Sequence, residues 1–283
     1  MKKSIFTFFT ITLIISVFVS CTKENAFLQN GQDSPQYSLG CQLLPTAEYE
    51  AIPLATPEYE LKALPVLWEL STPPVGNQGG EGSCVAWGTT YAGRSIDWYM
   101  TKENTTYSNS TNIFSPEYVY NQIKVTASCG SGAYVTTGLN LLKSQGVCTW
   151  ASMPYTDVSC STMPNSTQKA EAANYKISSY NRASISTKTI KTFLASNKPV
   201  IVAGPVNNAF VNLGKGQVLG NFSGSSLGGH CYCIIGYDDA KSAFKFQNSW
   251  GQNWASGGCG WISYAYIKSW FKEAYVISTT VNP

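Results

Sequence analysis

The residues of this chain best suited to chemistry are one cysteine and one histidine. Cys84 lies in "PVGNQGGEGSCVAWGTTYAG" (Pro74 to Gly93), where a glycine-rich loop holding Gln78 gives way to an apolar, helically spaced run. His230 is the sole histidine, so any imidazole base must be that one. A thiol reacts as its thiolate, and the unpaired amides at a helix start favour the anion. An imidazolium nearby adds an ion pair, which makes Cys84 and His230 a workable nucleophile and base. Attack on a carbonyl creates an oxyanion that needs donors placed in advance. Gln78 offers its side-chain amide and Cys84 its own backbone N–H, and the glycines between them let the loop fold back so that both converge. Asn248, in "QNSWG", suits the orienting of one ring nitrogen of His230, and Trp250 suits the shielding of that bond from water.

These residues need elements to carry them. Cys84, Trp87, Tyr91 and Trp98 fall on helical spacings, with Ser83 as the expected N-cap. "SPEYVYNQIK" places Ser115 at a cap, Pro116 at the first helical position and Glu117 in the first turn. Val135, Leu139 and Leu142 form another stripe, closed by Gly146. After a short helix around Ile190 to Leu194 the chain reads as strands: "PVIVA", "HCYCIIGY", "AFKFQNSW" and "GWISYAYI". A helical lobe followed by a β-rich lobe is an α+β architecture with a cleft between the two, Cys84 on one side and His230 on the other.

Composition narrows the partners. The net charge is +3 and charged residues make up 12% of the chain, so a broad basic surface for nucleic acid is not expected. A four-ligand zinc site would have to draw on cysteines beyond the one histidine, so neither a metal nor a cofactor is expected. "MKK" followed by the apolar "SIFTFFTITLIISVFVS" reads as a signal peptide over residues 1–20. The ending "FVSC" resembles a bacterial lipobox, which makes Cys21 the expected lipidated first residue of the mature chain. The expected location is then the bacterial cell envelope, with the lipid anchoring the chain to a membrane; a plain secretory signal is the alternative. Cys41, Cys129, Cys148, Cys160, Cys231, Cys233 and Cys259 remain once Cys21 and Cys84 are set aside, an odd number that leaves at least one outside any intramolecular disulfide. Asp238 and Asp239 follow a strand and read as a solvated turn.

"NQGGEGSC", "GGH" before an apolar strand, and "NSWG" resemble, in order, the three active-site blocks of the papain-like cysteine peptidases. "LPVLWEL" resembles the segment that opens the mature enzymes, and "CGSG…GV…MPY" the glycine-containing wall of their substrate cleft. The resemblance covers residues 63–283 and implies a two-lobe peptidase domain there, preceded by a tether or short pro-like segment over 22–62. It implies Cys84 as nucleophile, His230 as base and acid, Asn248 as orienter, Gln78 as oxyanion donor, and Gly132 and Trp250 in contact with a bound peptide or protein substrate.

Three departures stand out. Val85 replaces the aromatic residue that usually follows the nucleophile. Glu81 replaces a cysteine, so the usual disulfide to the glycine wall cannot form and Cys129 is free to bridge Cys160. The chain between Cys21 and residue 63 is too short for the family's helical inhibitory domain, which leaves zymogen control open. Two other functions stay in view: a peptide-binding lipoprotein without turnover, and a thiol-dependent acyl transferase or amidase.

Overall fold

The computed structural model describes Met1, residues 37–57 and residues 63–279. The signal peptide expected over residues 1–20 and Cys21 fall outside the described residues, apart from Met1. The first described segment holds strand β1 (Cys41–Gln42) and helix α1 (Thr46–Glu50). It is followed by strand β2 (Leu67–Glu69).

The helical half is built on one long helix. It starts as α2 (Cys84–Ala86), passes through a π-helical stretch (Trp87–Arg94) and ends as α3 (Ser95–Thr101). The spacing of Cys84, Trp87, Tyr91 and Trp98 finds this helix but not its wider turn. Gly88 explains how the helix lies so close to the β-rich half: a Cβ there would come within 2.7 Å of the Cys231 sulfur. Ser83 does not cap the helix. Its hydroxyl is instead 2.7 Å from that of Tyr155. Helix α4 (Pro116–Ile123) starts as the sequence indicates, with the Tyr118 N–H donating to Ser115 Oγ at 3.0 Å. Strand β3 (Ala133–Tyr134) runs into α5 (Val135–Ser144), which buries Val135, Leu139 and Leu142. Helix α6 (Ser166–Ala172) then starts on a reciprocal Asn165–Gln168 cap.

The second half is a sheet. In chain order come β4 (Ser179–Arg182), α7 (Thr187–Ala195), β5 (Val200–Val206), β6 (Val218–Leu219), β7 (Gly228–Asp238), β8 (Ala243–Gln247), β9 (Cys259–Ser263) and β10 (Glu273–Ser278). The sheet order is β4-β10-β5-β7-β8-β9-β6, with β2 added to β7. The early part of β7 pairs with β5 and its later part with β8 and β2, so His230 emerges from the middle of the sheet. Phe210, Tyr232, Phe246, Trp254 and Trp270 fill the core beneath it. "GWISYAYI" is a strand only as far as Ser263; the chain then turns through Tyr264–Tyr266 into a helix at Ile267–Trp270. That turn delivers Trp270 to the core, fully buried, with its Nε1 donating to the Gly220 carbonyl at 2.7 Å.

Cys129 and Cys160 form a disulfide; Cys41, Cys84, Cys148, Cys231, Cys233 and Cys259 are free and buried. No helix among the described residues is long and apolar enough to cross a membrane.

Candidate active site

Gln78 is fully buried, and every polar atom of its amide is committed. Nε2 donates to the Glu81 carbonyl at 2.8 Å and to the Ser38 carbonyl at 3.1 Å, while Oε1 accepts from Ser249 Oγ at 2.6 Å. The Gln78 N–H donates to the Ser249 carbonyl at 2.8 Å. The loop ahead of Cys84 is thereby fastened to the stretch that carries Asn248.

His230 Nε2 lies 2.7 Å from Asn248 Oδ1. The Ser249 N–H also donates to that Oδ1, at 2.8 Å, which marks it as the acceptor and gives the His230 proton to Nε2. Nδ1 is buried and has no hydrogen-bond partner, so its lone pair is free for a proton taken from a thiol. Trp250 stacks on the imidazole with centroids 4.6 Å apart, and Phe210 meets the ring edge-on at 5.8 Å. The orienting bond is therefore walled off from water.

Cys84 sits at the first turn of α2 and is fully buried. The backbone amides of Cys231 and Gly40 face its sulfur and favour the thiolate, yet burial dominates and pushes the thiol up to about 12. Burial likewise pushes His230 down to about 4, with the Asn248 bond partly opposing it. Both groups are neutral at pH 7 in this closed arrangement.

The burial has an identifiable source: residues 37–42 of the same chain fill the cleft. Tyr37 stacks on Trp250 at 4.4 Å. The Ser38 carbonyl accepts from Gln78 Nε2 and, at 3.3 Å, from Trp250 Nε1. The Gly40 N–H donates to the Gly229 carbonyl at 3.3 Å, and the Gly40 carbonyl accepts from the Ala133 N–H at 2.8 Å. Strand β1 then runs parallel to β3. Gly132, at φ 74°, takes part by having no side chain, since a Cβ there would strike the Gly40 carbonyl. A Cβ on Gly40 would in turn strike the carbonyl of Gly82.

A profile of the papain family cysteine proteases matches residues 68–279. The chain belongs to that family. Within it, the chain is 29% identical over 201 residues to gamete and mating-type specific protein A of Dictyostelium discoideum, covering 69% of this chain and 41% of that protein. It is 28% identical over 189 residues to chymopapain of Carica papaya, covering 65% of this chain and 50% of that one. It therefore spans half or less of the length of these two relatives. Among solved structures it matches xylellain, a cysteine protease from Xylella fastidiosa, with a TM-score of 0.73 and 26% identity over 87% of this chain and 96% of that one. A Carica candamarcensis cysteine protease solved with E-64 matches at TM-score 0.60 and 19% identity, a likeness of fold. The papain-like fold and the class of cysteine peptidase follow from the family.

Several residues that shape this papain-family site carry no obvious signal in the sequence. Tyr37, Ser38 and Gly40 lie in a stretch without periodicity, and Ser249 is hidden inside "NSWG" as the residue that holds Gln78. Asp239 is no part of the site: it is 2.7 Å from Lys191 Nζ and accepts from the Tyr264 hydroxyl at 2.8 Å, which pins a turn. Glu81, Cys129 and Cys160 are close enough to share a metal ion, but the two sulfurs are joined to each other and offer no thiolate.

Proposed function

We propose that this papain-family protein hydrolyses peptide bonds through Cys84, His230 and Asn248, with Gln78 and the Cys84 N–H binding the oxyanion. The observation that carries the reading is the Asn248–His230 bond, which puts the proton on Nε2 and leaves Nδ1 without a partner. In the open cleft the exposed thiol transfers its proton to Nδ1 and attacks the peptide carbonyl. The imidazolium then protonates the leaving amine, and a thioester remains on Cys84. Water activated by the same imidazole hydrolyses the thioester. Gly132 and Trp250 border the groove into which the substrate backbone would fit.

The cleft holds residues 37–42, so the enzyme is latent as folded and becomes active when that segment leaves. A long helical inhibitory domain is not needed for this, because a short extended strand reaches the oxyanion position. From the sequence of residues 1–21 we further propose export and lipidation at Cys21, which would tether the enzyme to a membrane of the cell envelope.

The test is peptide-library cleavage read by mass spectrometry, using the full chain before and after mild-acid incubation beside a Cys84→Ala variant. Cleavage after acid by the wild type alone supports the reading. Equal cleavage by Cys84→Ala, or none by either after the segment has demonstrably opened, sinks it and favours a binding protein. Transfer of the acyl group to an added amine in excess of hydrolysis would favour the acyl-transferase alternative.

A further inference from the structure

Glu81 stands in the loop between Gln78 and Cys84, where the resemblance would place a cysteine. Its residue is 2% exposed. One carboxyl oxygen, Oε1, is buried without a hydrogen-bond partner, and the carboxyl abuts the Cys129–Cys160 disulfide. The other, Oε2, is 3.1 Å from the Tyr155 hydroxyl. That hydroxyl is also 2.7 Å from the Gln78 carbonyl and 2.7 Å from Ser83 Oγ.

Counting protons at this hub decides its state. The Tyr155 phenol has one hydrogen, and burial keeps it in place by raising the phenol well above its ordinary value. The Gln78 carbonyl can only accept, and at 2.7 Å it is the nearer of the two acceptors. If the phenol donates there, Oε2 can bond to the phenol oxygen only by donating, which requires the carboxylic acid. An ionised Glu81 would compete with the Gln78 carbonyl for the single phenol hydrogen, and one of the two would be left buried and unpaired.

We propose that Glu81 is a positioning residue that must keep its proton for the Gln78 loop to hold its oxyanion-binding geometry. The inference rests on the peptidase reading above. Glu81 is tied to Gln78 at two places: through Tyr155 to the Gln78 backbone, and through its own carbonyl to Gln78 Nε2 at 2.8 Å. Loss of the proton draws Tyr155 away from Gln78 and loosens the donor. The surroundings suit an acid: burial, Glu117 on α4 and Asp157 all disfavour the anion and lift the carboxyl to about 7, against the Tyr155 bond and Lys124. Lys124 Nζ is already engaged by the carbonyls of Asn121 and Cys160, each at 2.8 Å. Ionisation of Glu81 thus sets an alkaline limit on activity near neutrality.

The experiment compares the full chain (wild type at Glu81 and Tyr155), Glu81→Gln and Tyr155→Phe, each carrying Gly40→Ala to open the cleft without acid, between pH 5 and 9 with two readouts. The first is the infrared band of a protonated carboxyl. It should be present in the wild type at pH 6, bleach by pH 8, shift in Tyr155→Phe and be missing from the Glu81→Gln difference spectrum. The second is kcat/KM, which in the wild type should fall about tenfold per pH unit above neutrality, the slope of a single deprotonation. In Glu81→Gln the fall should begin at least one pH unit higher. Coincident alkaline limbs in wild type and Glu81→Gln overturn the proposal, as does a wild type without the bleaching band, even if Glu81→Gln fails to fold. If no preparation cleaves peptide while the band behaves as described, the peptidase reading has failed and the assignment of the Glu81 proton has not.

Discussion

Replacing Gly40 with alanine opens the cleft without altering any residue that lines it from the two lobes. The new Cβ lands on the carbonyl of Gly82, and a Cβ cannot rotate away, so the strand has to lift. Four hydrogen bonds hold Ser38 and Gly40: Gln78 and Trp250 to the Ser38 carbonyl, Gly40 to Gly229, and Ala133 to Gly40. At a net ~1 kcal/mol each they contribute ~4 kcal/mol. The Tyr37–Trp250 stack adds ~1 kcal/mol, and the entropy of ordering the segment offsets part of the sum. Overpacking of this kind costs about 1–3 kcal/mol, which raises the open population roughly 5- to 150-fold. The assay is the rate of Cys84 alkylation by iodoacetamide at fixed pH, read by peptide mass mapping. Acceleration within that range and unchanged labelling of Cys148 are expected. A Gly40→Ala protein that folds normally and alkylates at the wild-type rate would refute the account, because it would mean the segment does not limit access to the sulfur.

Other perturbations follow from the same geometry. Burial holds His230 at about 4, and opening returns it toward 6.5, so the closed form binds fewer protons than the open one between those values. Closure is therefore fully favoured above about pH 6.5 and loses about 3 kcal/mol as the pH falls toward 4; hydrogen exchange at the Ala133 amide, corrected for its intrinsic rate, should show protection falling across that window, and equal protection at pH 5 and 7.5 would contradict it. Gln78→Ala removes one oxyanion donor and should lower kcat by about 10²–10³ in the opened enzyme, with KM moving much less. Asn248→Ala frees the imidazole to rotate; kcat should fall and the pH profile should shift, whereas a change in KM alone would speak against an orienting role. Trp270→Ala empties the centre of the β-rich core and should cost about 3–5 kcal/mol in denaturant unfolding, while leaving Cys84 alkylation in the native state little changed.

The proposed catalytic set can be named from the sequence because chemistry restricts the residue types: one histidine, a cysteine at the foot of a glycine loop, and a Gln and an Asn with no core rationale. The helix at Ser115–Pro116 is legible for a similar local reason, since cap and first-turn chemistry are written in adjacent residues. What could not be read depends on long-range packing. The π-helical turn after Ala86 lies where Gly88 fits against Cys231, a residue far away in the chain. Ser83 looks like a cap, but Tyr155 takes its hydroxyl. Strands β4 and β10 lack strong alternation; β5 offers an edge to β10, and β10 in turn offers one to β4. "YAYI" leaves the strand pattern because the core needs Trp270. The segment at Tyr37–Gln42 has no period at all: it is shaped by the cleft it fills, and only the small residues Ser38 and Gly40 hint at a tight fit.

The role of Cys84 as a nucleophile activated by His230 is tested most directly by the site of reaction with an epoxysuccinyl inhibitor of the E-64 class. Six free cysteines are present among the described residues, so the reagent must choose. The acid-opened full chain is treated with a stoichiometric amount, digested and mapped by mass spectrometry. One adduct on Cys84 is expected, formed faster after opening than before and abolished in His230→Ala. Labelling spread over several cysteines, or an adduct on Cys84 that forms equally well without His230, would contradict it.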